Sequence, residues 1–208
     1  MKTKLLFSLL FAATLTLCAE ELQPLGADEL AKATQLLMDA NARLAAPPIK
    51  LELAPDQAVG FKGGEVGALL IPDKRCKLEK RGKEARKKNK GEAMPVGQLW
   101  TSKLSPKDKD TVLPNDKLQL VKVSAKEKEL ELAVFTLAIE HAGKREFQLA
   151  IYGSGSQPVL RVPLVMDKAK GAAPVTLSAR KTGDASGVLE LALLGRFKAE
   201  IPVGKQAE

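Results

Sequence analysis

The chain reads as mainly β: an antiparallel β-sandwich of about ten strands, preceded by one N-terminal amphipathic helix. Three observations predict this. From Leu118 to Val165 apolar residues fall on every second position, as in Phe147, Leu149, Ile151 and again Leu160, Val162, Leu164. A period of two presses one face of a strand onto a core and leaves the other toward water. The segments between are short and rich in turn residues, Gly153-Ser154-Gly155-Ser156-Gln157-Pro158 most plainly, and short connections join antiparallel neighbours. Only the stretch 28–44 changes to a helical spacing, with Leu30, Ala33, Leu37, Ala40 and Leu44 on one stripe.

Taken in order, residues 1–19 have the form of a secretory signal. Lys2 and Lys4 supply a positive start, and the 13-residue run from Leu5 to Leu17 is apolar, short of the ~20 residues a membrane-spanning helix needs. Cleavage after Ala19 would leave Glu20-Glu21 at the new terminus. Leu15-Thr16-Leu17-Cys18 also resembles the lipobox of bacterial lipoproteins, which implies lipid attachment at Cys18 as the alternative. The family pattern has a small residue before the cysteine where this chain has Leu17. Either way the expected location is exported, periplasmic or extracellular, with no transmembrane helix in the mature chain. Cleavage after Ala19 leaves Cys76 as the one cysteine, so the mature core has no intramolecular disulfide to rely on.

The expected organisation is a signal peptide over 1–19, a helical segment over 20–48, and a sandwich domain over 49–208. Asp28 is placed to cap the helix and Pro47-Pro48 to end it. Such a helix covers a sheet face or edge more readily than it serves as a free oligomerisation helix. Ile49, Leu51 and Leu53 alternate with Lys50 and Glu52 and predict a strand. Gly60, Gly63, Gly64 and Gly67 lead into the strand-like Val66–Ile71 and so mark a hairpin or bulge, without the Lys-Ser/Thr ending of a phosphate-binding loop.

Residues 74–90 are the most unusual part. Lys74, Arg75, Lys77, Lys80, Arg81, Lys83, Arg86, Lys87, Lys88 and Lys90 face only Glu79 and Glu84, a net of +8 that equals the net charge of the whole chain. This loop is the candidate anionic-surface site. Counterion release would let it bind nucleic acid, but it has no aromatic residue for stacking on bases, and the leader directs the protein away from cytosolic nucleic acid. Anionic lipid, polysaccharide or an envelope protein are the better candidate partners, each basic residue near an anionic membrane being worth about 1 kcal/mol. The plain alternative is a long solvated hairpin loop, since doubling a loop's length adds only ~0.6 kcal/mol to its closure.

Met94–Thr101 predicts a strand with Trp100, the single tryptophan, in the core. Residues 102–117 read as a polar loop. Its Asp108, Asp110 and Asp116 are interleaved with lysines and lack the glycine and bidentate glutamate of a calcium loop. In Glu129–Ile139 the apolar parity switches, from Leu130, Leu132, Val134 to Phe135, Leu137, Ile139. That predicts a bulge near Val134 or a strand covered on both faces. Val175, Leu177, Ala179, then Leu189, Leu191, Leu193, then Phe197, Ala199, Ile201, Val203 complete the ladder, with Pro202 suited to an edge.

Chemistry-bearing residues are few. His141, the single histidine, falls at a hairpin tip; a Ser-His-Asp or Cys-His site must use it, and Cys76–His141 is the candidate nucleophile–base pair. Nothing in their spacing favours it over an exposed turn histidine. No zinc ligand set, cofactor motif or catalytic residue is predicted. Glu129, Glu131 and Glu190 take solvent parity. The expectation is therefore an exported, non-catalytic module that binds or scaffolds an envelope or extracellular component. The rival is an exported hydrolase of unfamiliar type, which would need a concave pocket with converging polar groups.

Overall fold

The computed structural model describes residues 22–77, 93–125, 128–143, 146–167 and 173–206; the predicted leader lies outside them. The described chain opens with β1 (Gln23–Pro24) and α1 (Ala27–Asn41). Asp28 does not cap the helix. Gly26 is the N-cap, and Asp28 and Glu29 sit in the first turn, where their charge opposes the positive end of the helix dipole. The predicted stripe is real: Leu30, Ala33, Leu37, Ala40 and Leu44 all join one apolar cluster with the sheet.

β2 (Val59–Gly63) and β3 (Val66–Pro72) form the expected hairpin, turning through Gly64 at φ 58°. Next come β4 (Met94–Ser102), β5 (Leu104–Asp108), β6 (Thr111–Val112), β7 (Gln119–Ala125) and β8 (Lys128–His141). After them follow β9 (Phe147–Tyr152), β10 (Pro158–Met166), β11 (Val175–Gly183), β12 (Ser186–Leu193) and β13 (Phe197–Lys205). The described residues thus hold thirteen strands, not about ten, in one antiparallel sheet ordered β1-β2-β3-β4-β8-β9-β10-β13-β12-β11. The sheet curls so that β11–β13 face β3, β4, β8 and β9 across the main core, as the predicted sandwich requires.

β8 explains the parity switch. One side of it pairs with β4; the other pairs with β7 over 128–134 and with β9 over 136–141. Its register stays unbroken against β7 and β9, so no bulge lies at Val134; the strand is covered on both faces. Leu132 and Val134 pack with α1, while Ala133, Phe135, Leu137 and Ile139 enter the main core. β4 is buried likewise from Pro95 to Thr101. Trp100 lies on the helix side, its indole N–H donating to Gln98 at 3.0 Å. Each such large apolar side chain, once buried, contributes roughly 1.5–3 kcal/mol before entropy is set against it.

The irregularity sits across the pair, on β4. Pro95 opposes Ala138 and Gly97 opposes Leu137, which leaves Val96 as the extra residue, fully buried in the core. Gly97 has φ 152°, and a Cβ there would stand 2.4 Å from the Ile71 carbonyl oxygen.

Three further departures have physical causes. Ile49–Leu53 is not a strand apart from a bridge between Leu53 and Asp73. Ile49 instead packs on the outer face with Ala138, Ala150 and Tyr152, which satisfies its burial without a ladder. The supposed polar loop 102–117 contains β5 and β6, because Leu104 and Leu113 reach the core and β5 pairs with the end of β13. β1 is too short to leave a period. Pro202 fits its place: the side of β13 away from β12 pairs with β10 only at Phe197–Lys198 and with β5 only from Val203, so no ladder bond is asked of it there.

Gly97→Ala should destabilise the protein by about 2 kcal/mol or more, measured by chemical denaturation. Gly155→Ala, where nothing lies within 4 Å of the added carbon, should be within about 0.5 kcal/mol of wild type.

Candidate functional site

The basic segment leaves β3 through a fixed base. Asp73, the residue after β3, is fully buried and accepts four hydrogen bonds. They come from the Glu52 N–H at 2.6 Å, the Arg75 N–H at 2.8 Å, and Arg75 Nε and Nη2 at 2.8 and 2.9 Å. Arg75 Nη2 also donates to the Lys50 carbonyl at 2.6 Å. One carboxylate and its Arg75 partner therefore tie the end of β3, the start of the basic segment and the crossing segment at 50–52. Such a carboxylate, filled by charge-assisted donors, fixes backbone as well as charge. Burial alone would push Asp73 upward, but the Arg75 guanidinium and the two backbone N–H groups outweigh it and hold the carboxyl below its ordinary range.

Cys76 follows at once, its N–H bonded to the Asp73 carbonyl at 2.9 Å and its side chain in the main core. Burial first, and the Asp73 charge second, push the thiol up to about 12. His141 is exposed at the end of β8, its ring 4.6 Å from that of Phe147. A core thiol held protonated is not a nucleophile at neutral pH. The two residues the sequence offered as a pair are thus put to separate structural uses.

Of the predicted cations, Lys74 and Lys77 are exposed and Arg75 is engaged in the clasp. Lys80, Arg81, Lys83, Arg86, Lys87, Lys88 and Lys90 lie outside the described residues. The return point is described: Ala93 rests on the Ala138, Ala150 and Tyr152 cluster. Beside it Glu140, on β8, gathers the Tyr152 hydroxyl at 2.7 Å and Gln148 Nε2 at 3.2 Å from β9, and Arg161 Nε at 3.2 Å from β10. Burial would raise Glu140, yet these three donors keep it low. Burial and the Glu140 charge push the Tyr152 phenol up to about 12. Both carboxylate oxygens are occupied, so this hub braces three strands. Sequence reasoning missed it, although the hairpin pairing sets Glu140 opposite Gln148.

Comparison with protein-family models, curated proteins and solved structures finds no match. The site has to be read from its own geometry.

That geometry brings the ends of four connections to one end of the sheet. Strand directions alternate in an antiparallel sheet, so every second connection emerges at the same end. Four open beside the base of the basic segment: β3–β4 (73–93), β8–β9 (142–146), β10–β11 (167–174) and β12–β13 (194–196). Their sequences hold ten, two, two and one Lys or Arg against four, one, one and no acidic residues. The connections at the other end, 64–65, 103, 126–127, 153–157 and 184–185, hold two cations against three acids.

The other end also carries a cavity of about 260 Å³ between β2 and the β11–β12 hairpin, lined by Phe61, Leu104, Leu189 and Val203. Its rim charges are paired, Glu65 with Lys103 at 2.9 Å and Lys181 with Asp184 at 3.8 Å. Neither Cys76 nor His141 reaches it.

Asp73→Asn should cost about 1–3 kcal/mol at neutral pH. A carboxyl lowered by folding stabilises above its unfolded value near 3.9, and that contribution is lost as pH falls through the folded value. Denaturation curves of wild type and variant should therefore converge in acid below about pH 4. Cys76 should resist iodoacetamide at pH 8 in the native protein and react fully once it is unfolded, as mass spectrometry would show.

Proposed function

We propose that the protein is a non-catalytic binding module whose cationic end docks on a polyanionic surface of the envelope or extracellular space. The observation that carries this is the placing of four cation-bearing connections at one end of the sheet and a balanced set at the other. Scattered, the same charges would act singly. Gathered, they add: at about 1 kcal/mol for each basic residue close to an anionic surface, a handful suffices for retention, and a Debye length near 8 Å in physiological salt makes it salt-sensitive. The Asp73–Arg75 clasp supports the same reading, because it anchors the origin of the basic segment to the core. The leader-like residues 1–19 place the expected target outside the cytosol. The shared chemistry is a dense array of phosphate, sulfate or carboxylate groups, presented by lipid or by polysaccharide.

The test removes 78–92, joins the ends with a short Gly-Ser link, and leaves the clasp intact. Cosedimentation with vesicles containing phosphatidylglycerol, and retention on dextran sulfate, would be measured from 50 to 500 mM salt. The intact protein should bind and release with rising salt; the deletion should bind at least about tenfold more weakly to whichever surface is the target. Equal binding by both proteins would sink the proposal.

A further inference from the structure

At the end of the sandwich away from the basic segment the two layers leave a gap, and the inward positions of the strands explain it. β12 turns Leu193, Leu191 and Leu189 into the main core, but its next inward position toward this end is Gly187, opposite the buried Val203. On β11 the inward series Val175, Leu177, Ala179 shrinks in the same direction. The facing hairpin offers only Gly63 and Val66 beyond Phe61. Side chains that fill the interior elsewhere are missing here, and the cavity of about 260 Å³ is what they leave. Phe61, Leu189 and Val203 are its buried floor, and the partly buried Leu22, Leu104 and Ala179 are its walls. The mouth of a curled sheet, apolar within and polar at the rim, is a common place for a small ligand.

Size and polarity define the occupant. An apolar cavity of about 150 Å³ stays dry and takes up benzene. One of 260 Å³ has room for about ten non-hydrogen atoms. The rim carries charge, but in closed pairs. Of the cations that line the cavity, Lys205 faces Glu65 at 3.9 Å, Lys181 faces Asp184 at 3.8 Å and Arg180 faces Glu190 at 3.3 Å. A charged headgroup would find its opposite already answered there and would still lose hydration on entering. The Ser186 hydroxyl also lines the cavity, 3.5 Å from Thr182 Oγ1, and can donate to or accept from an uncharged polar end.

We infer that the open end of the sandwich, between β2 and the β11–β12 hairpin, binds a neutral small molecule of about ten non-hydrogen atoms with an apolar body and one uncharged polar end. The site lies at the opposite end from the proposed docking surface and does not rest on that reading.

The test titrates the intact protein with 1-octanol, octanoate and octylammonium, which share a chain length and differ in head charge, and follows the methyl signals by NMR. Octanol should bind about tenfold or more tightly than either ion. It should shift the methyls of Leu104, Leu189 and Val203 and leave those of Leu137 and Leu149, core residues that do not line the cavity, in place. Equal or tighter binding by either ion overturns the inference, and so do shifts spread through the core or no shifts at all. Ala179→Leu, which fills the cavity, should weaken octanol about tenfold or more without lowering the denaturation midpoint. Undiminished binding by that variant overturns the inference. Should Ala179→Leu fail to fold, Leu22→Ala enlarges the cavity instead and should move the preferred alcohol from octanol toward decanol; an unchanged preference overturns the inference. Retention on dextran sulfate does not enter these outcomes, so the two readings fail separately.

Discussion

The structure depends on a strip of sheet that has to be covered twice. β3, β4 and β8 carry apolar side chains on both faces: Leu69, Ile71, Trp100, Leu132 and Val134 on one, Ala68, Leu70, Leu99, Phe135 and Leu137 on the other. A flat sheet could not satisfy both. The helix covers the first face, and the sheet covers the second by curling β11–β13 back over it. The corner at β10 follows from that return, because one strand has to serve β9 along most of its length and β13 at its tip. Exposure of Val165 and Met166 is thus a by-product of closing the core.

The same curl orders the charge. Once the strands alternate in direction around one closed core, connections that are far apart in sequence become neighbours at an end. The ends of β3, β8, β10 and β12 come to the same end in this way. Asp73 is the joint at the origin of the basic segment, its buried carboxylate held by Arg75 and the Glu52 and Arg75 N–H groups. Burying a carboxylate is costly unless its donors are in place, and here all four are. Glu140 works the same way on the outer face of β8–β10. Both are strengthening positions: donors fill their oxygens and hold both carboxyls below the ordinary range, whereas an acid–base catalyst is tuned toward the working pH.

Where the pattern was local, the reading of residues matched the fold. The β9, β10, β11, β12 and β13 strands, the stripe on α1 and the glycine hairpin after Gly60 rest on periods of two or 3.6 that the backbone itself imposes. Where a partner from elsewhere decided the outcome, it did not. Ile49–Leu53 alternates like a strand, but Ile49 is covered by the outer face of β8 and β9 and Leu53 by the cluster under α1. Residues 104–113 look polar because lysines and aspartates separate Leu104, Val112 and Leu113, yet β13 supplies an edge for β5. The parity switch in β8 offered a bulge near Val134 or cover on both faces; the second holds, and the irregularity lies across the pair at Val96 and Gly97, since a parity switch shows that coverage changes and not which strand bends.

By itself the sequence determined the class of the fold, the helix and its buried stripe, and the concentration of positive charge in 74–90, because each is written in the spacing of neighbouring residues. Only the tertiary structure decided that Arg75 belongs to a buried clasp, that Cys76 is core and far from acting as a nucleophile, that Glu140 holds three strands, and that the ends of β3, β8, β10 and β12 share one end of the sheet. Those depend on contacts between residues distant along the chain. Alternation along a strand says which face a side chain takes, and it carries no information about what comes to lie against that face.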